Sequence, residues 1–297
     1  TSLEQCLSEA NAAGFSGIES GGKFPKKSKE LIPILEKYNL KLCSGWYGAN
    51  LRRNSVKEEI DLIQEQLKLF QDCKAPCIVF AEVSDSIAGD QLKPLSTRPK
   101  MDSDGWKIFC NKISEIGKYL EDQGMPLAYH HHMGTVIETQ DDTERLLEST
   151  SEHVKLILDT GHMLFANGNS LEIYDKFKDR IIHIHCKDMR KNILDKSLDE
   201  DLSFRQAFLE GAFTVPGDGY IDYKPLFKLL TKNDYSGWLV VEAEQDPSKA
   251  NPLEYAKIGF NYLTKACEEA NLKIIKLFYN FTVLDFSILL SKKSIIF

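Results

Sequence analysis

The chain has 297 residues, 42% of them hydrophobic and 27% charged, with 18 Gly and 10 Pro, a globular profile that excludes a disordered or collagen-like polypeptide. Its 37 Lys and Arg stand against 44 Asp and Glu, a formal net charge of −7, which argues against nucleic acid as a partner because phosphate neutralisation needs a basic surface. That length suits two domains of roughly 150 residues, or one α/β barrel.

Residues 3–13 place Leu3, Cys6, Leu7 and Ala10 on one helical face, with Gly14 as a stop. Residues 15–19 read as a short strand that ends in Glu19 and runs into Gly21 and Gly22. A helix over 28–38 leads to a strand over 40–45, and an amphipathic helix over 56–71, with Ile60, Ile63, Leu67 and Phe70 in one stripe, leads to a strand over 77–82. The next helix, 106–123, aligns Phe109, Ile113, Ile116 and Leu120 before a strand over 126–132 that carries three consecutive histidines. Helix 141–149 precedes strand 154–159, and helix 171–177 precedes strand 181–187. Asp222 caps a helix over 223–230 with Pro225 in its first turn, and strand 238–244 follows.

Seven short apolar strands separated by helices indicate parallel βαβ units. No Gly-rich phosphate fingerprint follows the first strand, and polar residues close nearly every strand, so a TIM (β/α)8 barrel is expected rather than an open doubly wound sheet. A chain that opens on a helix and has no initiator Met is expected to lack the first of the eight strands. The barrel is assigned to residues 1–270, and 271–297 to an atypical apolar tail that would cover the gap. Lys276, Asn280 and Asp285 interrupt the apolar run 274–290, so no membrane span is expected. Seven cysteines without a signal peptide suggest free thiols in a reducing cytoplasm, and homo-oligomerisation is left open.

Six of the 7 His fall at or just past the C-terminal ends of predicted strands, the face on which parallel barrels build their sites. Strand alternation puts His130 and His132 on one face, His183, His185 and Lys187 on one face, and Glu242 with Glu244. Asp159-Thr160-Gly161-His162 alone could be a capping Asp with a surface His. Together with His183-Ile184-His185 and Glu242 it indicates a divalent-metal site, whose mix of N and O donors suits Mn, Co, Fe or Zn better than Ca. Lys187 and Asp188 read either as a rim salt bridge or as an inward Lys beside the metal. Trp46 and Glu82 read as pocket walls or barrel packing, and Asp218, in the turn Pro216-Gly217-Asp218-Gly219, as a turn residue or a substrate contact.

The order Asp-Thr-Gly-His, His-x-His-x-Lys-Asp, Pro-Gly-Asp-Gly-x-Ile-Asp and a final strand ending in Glu resembles the xylose-isomerase-like superfamily of sugar isomerases, epimerases and apurinic-site endonucleases. Shared stretches include Gly22-Lys23-Phe24-Pro25, Ser44-Gly45-Trp46, Pro94-Leu95-Ser96 with Arg98-Pro99, Tyr129 to Thr135, Phe213 to Gly219, and Val241 to Pro247, and together they cover about residues 3–263. The resemblance implies a metal held by Asp159, His185 and Glu242. The superfamily's first ligand is usually a Glu at the end of the fifth strand; His130 stands at that place here, with Glu138 as the fallback carboxylate. The stretches are closest to the hydro-lyase branch that dehydrates 2-keto-myo-inositol to a trihydroxycyclohexane-1,2-dione. This implies a small polyol-ketone substrate, manganese or cobalt as the metal, and glutathione, which nothing in the sequence explains. Glu244 is the expected base, His162 or Lys187 the acid, and His132, Trp46, Glu82, Arg190 and Asp218 the substrate contacts. A sugar isomerase or epimerase acting through an enediolate, or an inactive or purely carbohydrate-binding barrel, are the alternatives. An endonuclease is disfavoured by the missing basic groove and the smaller ligand set.

Overall fold

A computed structural model describes residues 1–275 and 295–296 of the chain. Helix α1 (Leu3–Ala13) starts on the Ser2 hydroxyl, which accepts the Gln5 amide, and stops at Gly14 with a left-handed φ of 106°. The strand β1 (Gly17–Ser20) then begins an alternation of α2 (Ser28–Lys37), β2 (Lys41–Ala49), α3 (Val56–Cys73), β3 (Ile78–Glu82), α4 (Ser103–Asp122), β4 (Leu127–His130), α5 (Gln140–Ser149) and β5 (Val154–Asp159). After α6 (Thr160–Phe165) and α7 (Ser170–Phe177) come β6 (Ile181–Cys186), β7 (Asp188–Met189), α8 (Lys191–Asp199), α9 (Phe204–Glu210), β8 (Phe213–Thr214), α10 (Lys224–Lys232), β9 (Trp238–Val241) and α11 (Pro252–Glu269). Capping boxes at Ser55–Glu58 and Thr139–Asp142 mark the starts of α3 and α5, each satisfying backbone donors that the first helical turn leaves without partners.

Among the described residues, strands β1 to β6 and β9 pair in parallel and in chain order with helices over the outside, so the expected α/β barrel forms on these seven strands. Of the apolar stripes predicted for α3 and α4, Ile63, Leu67, Phe70, Phe109, Ile113, Ile116 and Leu120 are buried in one cluster with Ile78, Phe80 and Leu127, and Ile60 packs against it partly buried. Inside the barrel, Cys77, Val79, Ala128 and Ile157 form a small apolar plug. The seam between β1 and β9 is closed by side chains. A Cβ at Gly17 would lie 2.4 Å from the Trp238 ring, so only glycine admits the indole there. Outside the seam Phe15 meets Phe260 of α11 edge-on at 5.3 Å.

Three predicted strands end early: at His130 rather than residue 132, at Cys186 rather than 187, and at Val241 rather than 244. The polar residues beyond leave the ladder where no neighbouring strand continues, and they form the rim of the site. Helices α8 and α9 and the antiparallel pair β7–β8 (Asp188↔Thr214) were not expected, although Ser203-x-x-Gln206 and the left-handed Gly211 are legible start and stop signals for α9. The residue at the cap of α10 is Tyr223, not Asp222; Asp222 Oδ1 instead accepts the Lys224 amide at 3.0 Å.

Of the predicted tail, Ile274–Ile275 (β10) and Ile295–Ile296 (β11) pair in parallel, and Ile296 pairs with Trp238 at the β9 edge. Residues 276–294 and 297, with most of the apolar run, lie outside the described residues. Among the described residues no helix is long and apolar enough to cross a membrane.

Candidate metal centre and active site

Parallel register sets the site. Asp159 pairs with His185 and His185 with Val240, so the ends of β5, β6 and β9 come level, and His130, the last residue of β4, joins them. One ligand atom from each of His130, Asp159, His185 and Glu242 can be chosen so that all four lie within 4.8 Å of one another. His130 Nε2 is 3.4 Å and His185 Nδ1 3.5 Å from Asp159 Oδ2, and His185 Nδ1 is 3.0 Å from Glu242 Oε2.

The tautomers follow from the outer contacts. The His130 Nδ1–H donates to the His131 carbonyl at 2.6 Å, which leaves the Nε2 lone pair facing the cluster. Asp159 Oδ1 caps α6 by accepting the His162 amide at 2.8 Å, so the capping reading of this Asp and the cluster reading hold together, one for each oxygen. Asp159 Oδ2, His185 Nδ1 and Glu242 Oε2 are buried and have no hydrogen-bond partner among the described residues. Their close approaches to one another and to Lys187 are charge contacts without hydrogen-bond alignment. Three buried lone-pair atoms aimed at one point fit a bound cation, since such atoms are otherwise costly.

Lys187 stands beside this cluster, fully buried, with Nζ 2.8 Å from Glu242 Oε2, 3.0 Å from Glu244 Oε2 and 3.4 Å from Asp159 Oδ2. Burial opposes its charge, but Asp159, Glu242 and Glu244 raise its pKa above the ordinary lysine value. The same contacts act in reverse on the carboxylates: burial pushes Asp159 and Glu242 up, and the Lys187 ammonium holds both well below the usual range. Lys187 Nζ also reaches His162 Nε2 at 3.0 Å. His132, His162 and Glu244 form a second converging group, with the His132 and His162 rings 4.0 Å apart and Phe204 stacked on His162 at 5.7 Å. Burial, then the Lys187 charge, pushes His162 well below its ordinary pKa. The glycine of Asp-Thr-Gly-His has a spatial reason: a Cβ at Gly161 would meet the Lys187 stem at 2.7 Å. Thr160 ties the two motifs by donating to the Lys187 carbonyl at 2.8 Å.

Trp46 lies edge-on to His130 and His132 at 5.4 and 5.6 Å and separates them from a cleft of about 430 Å³ lined by Gly21, Gly22, Phe24, Pro25 and Tyr47. Three other expected contacts are engaged elsewhere. Glu82 is wholly buried, and its carboxylate accepts the amides of Ser84 at 2.8 Å and Arg52 at 3.2 Å; it fastens two loops and turns no oxygen to the cleft. Arg190 and Asp218 pair with each other at 2.6 Å, and Arg190 also donates to the Gly211 carbonyl, so both brace the loops over β7 and β8. Lys187 does not pair with Asp188, whose Oδ1 accepts the amides of Met189 and Ile221.

Glu138, the fallback ligand, is held away from the cluster: Oε2 accepts the Gly134 amide at 2.6 Å and Oε1 pairs with Arg98 Nε at 3.2 Å. Burial outweighs these partners and pushes its pKa up to about 7. A folded pKa raised above the unfolded value of 4.5 gives a contribution present below that value and lost as pH rises through about 7. Relative to Glu138→Gln, wild type is therefore expected to lose about 1–3 kcal/mol between pH 5 and pH 8; parallel denaturation curves at the two pH values measure it, and a pH-independent difference refutes it.

One contributor was missed. Glu19, noted only as a strand end, accepts from His183 Nε2 at 2.9 Å and His185 Nε2 at 3.2 Å. Burial raises its pKa, but His185 and His183 hold it below the carboxylate range. His183 faces Cys77 Sγ with its other nitrogen at 3.8 Å. The period-2 pattern puts both histidines on one face but carries no sign of a carboxylate from the far side of the barrel. His131, on the opposite face as predicted, is buried with both ring nitrogens unpartnered among the described residues, and burial, then His130, pushes its pKa down to about 3.

The family model of the xylose isomerase-like TIM barrel matches residues 7–266. The chain is 41% identical over 274 residues to the rhizopine catabolism protein MocC of Rhizobium meliloti, covering 92% of this chain and 84% of that protein. It is 40% identical over 263 residues to an inosose dehydratase of Clostridium botulinum, covering 88% of each. Among solved structures, the probable 3-DHS dehydratase AsbF of Bacillus anthracis superposes with a TM-score of 0.67 at 15% identity over 89% of this chain and 94% of that one, a likeness of fold.

Proposed function

The chain belongs to the xylose isomerase-like TIM barrel family, and we propose that it is a hydro-lyase acting on 2-keto-myo-inositol (scyllo-inosose) to give a trihydroxycyclohexane-1,2-dione in inositol catabolism. The observation that carries this reading is the pairing of a four-donor cluster with a separate carboxylate, Glu244, joined to it through Lys187. Identity of 40% to an inosose dehydratase favours elimination over isomerisation.

His130 Nε2, Asp159 Oδ2, His185 Nδ1 and Glu242 Oε2 would hold a divalent ion, and these N and O donors suit manganese or cobalt. When bound, the ion supplies a Lewis acid for the ketone oxygen of the substrate, which makes the adjacent C–H acidic. Glu244 is then the base that takes this proton. Lys187 Nζ, 3.0 Å from both Glu244 Oε2 and His162 Nε2, can deliver a proton to the departing β-hydroxyl directly or through His162, so that water leaves; the proton held by Glu244 then passes to the Lys187 amine, which restores both the carboxylate and the ammonium. Trp46, His132 and Phe204 wall the group and limit water around the reacting carbons. The unpaired thiols among the described residues support a reducing cytoplasm as its location.

The test is to supply the purified chain, with manganese or cobalt, with scyllo-inosose and separately with ketohexoses, and to follow products by mass. Loss of one water from inosose is expected, and turnover of ketohexoses alone overturns the reading. Glu244→Gln is expected to lower kcat by about 10²–10⁴ while bound metal, measured by elemental analysis, stays near the wild-type level.

A further inference from the structure

We propose that Glu19 is a positioning residue that makes His185 present Nδ1, rather than Nε2, to the cation; this rests on the metal reading above. Glu19 closes β1, and one of its oxygens, Oε1, receives both His183 Nε2 and His185 Nε2, at 2.9 and 3.2 Å. An ionised carboxylate only accepts hydrogen bonds, so both imidazoles carry a proton on Nε2. For His185 that leaves Nδ1, buried and without a hydrogen bond, directed at Asp159 Oδ2 and Glu242 Oε2. His130 is set the opposite way by a backbone carbonyl, with Nδ1–H outward and Nε2 toward the cluster.

The two histidines of His-x-His therefore divide the work. His183 lies against Cys77 with Nδ1 and steadies Glu19 with Nε2, while His185 is the one turned to the ion. A carboxylate behind a ligating imidazole fixes its ring and increases its basicity, and removing such a partner costs 10–100-fold in metal affinity. The competing arrangement is visible in the same residues: Glu19, His183 and His185 could themselves converge on an ion, which would use Nε2 of His185 and make Glu19 a ligand.

The experiment uses the full chain labelled with ¹⁵N in its histidine rings and loaded with Zn²⁺. Long-range ¹H–¹⁵N spectra are expected to show His185 metallated at Nδ1 with a proton retained on Nε2, and His130 the reverse. Metallation of His185 at Nε2 overturns the proposal while leaving the metal reading intact; failure of the wild-type chain to bind Zn²⁺, Mn²⁺ or Co²⁺ overturns both. In chelator competition Glu19→Leu is expected to bind Zn²⁺ about 10–100-fold more weakly, and Glu19→Gln, whose amide oxygen still accepts, to return to within a few-fold of wild type. Unchanged affinity in a folded Glu19→Leu chain, with the Nε2–H signal of His185 retained, refutes it. Should that variant not fold, the wild-type spectrum and the Gln variant decide.

Discussion

His185→Ala is expected to abolish metal-dependent turnover, lowering kcat by about 10³ or more, because the proposed Lewis acid would lower the barrier by several kcal/mol and each 1.36 kcal/mol is tenfold in rate. The side chain lies where Asp159, Glu242 and Glu19 all reach it, at 3.5, 3.0 and 3.2 Å, so its removal takes away one donor and uncouples the other carboxylates. The backbone there is held independently: His185 is paired with Asp159 on one side and Val240 on the other, and the barrel ladder does not depend on the imidazole. Circular dichroism is therefore expected to match wild type while elemental analysis shows metal lost. A variant that keeps both ion and turnover removes His185 from the ligand set.

Lys187→Met is expected to produce the largest stability change. Its ammonium, 1% exposed, faces three carboxylates at 2.8 to 3.4 Å, and withdrawing one partner from a buried ionic group costs about 3–5 kcal/mol. In the metal-free chain this corresponds to a fall in Tm of about 10 °C. Saturating Mn²⁺ or Co²⁺ is expected to restore part of the loss, since an ion at the same carboxylates supplies the missing positive charge. The sign with pH follows from depressed folded pKa values: the stabilisation carried by Asp159 and Glu242 in wild type is present above the ordinary carboxylate range and is lost as pH falls below it. Methionine in place of Lys187 without a shift in Tm, measured without metal, would sink the argument that the ammonium offsets this cluster.

Much of the site was legible because parallel strands bring the ends of consecutive strands to one rim. Asp159, His185 and Glu242 stand at such ends, and period 2 put Lys187 beside His185 and Glu244 beside Glu242. The contrast between His130 and Glu138 was not legible, since the one ends a strand and the other follows it by a short interval; Arg98, 40 residues before Glu138 in sequence, holds that carboxylate aside. Arg190 with Asp218, and Glu82 with the amides of Arg52 and Ser84, illustrate the same limit. A polar residue at a strand end can serve a substrate or its own loops, and only the positions of distant donors decide which.

Residue order alone determined the alternation of strands and helices, their caps and stripes, and the family, because periodicity and capping act within a few residues along the chain. The tertiary structure alone decided which carboxylates surround Lys187, which nitrogen each histidine turns inward, and that Glu19 reaches His183 across 164 positions of sequence. Those contacts depend on closing the barrel, which brings together side chains whose separation along the chain carries no local signal.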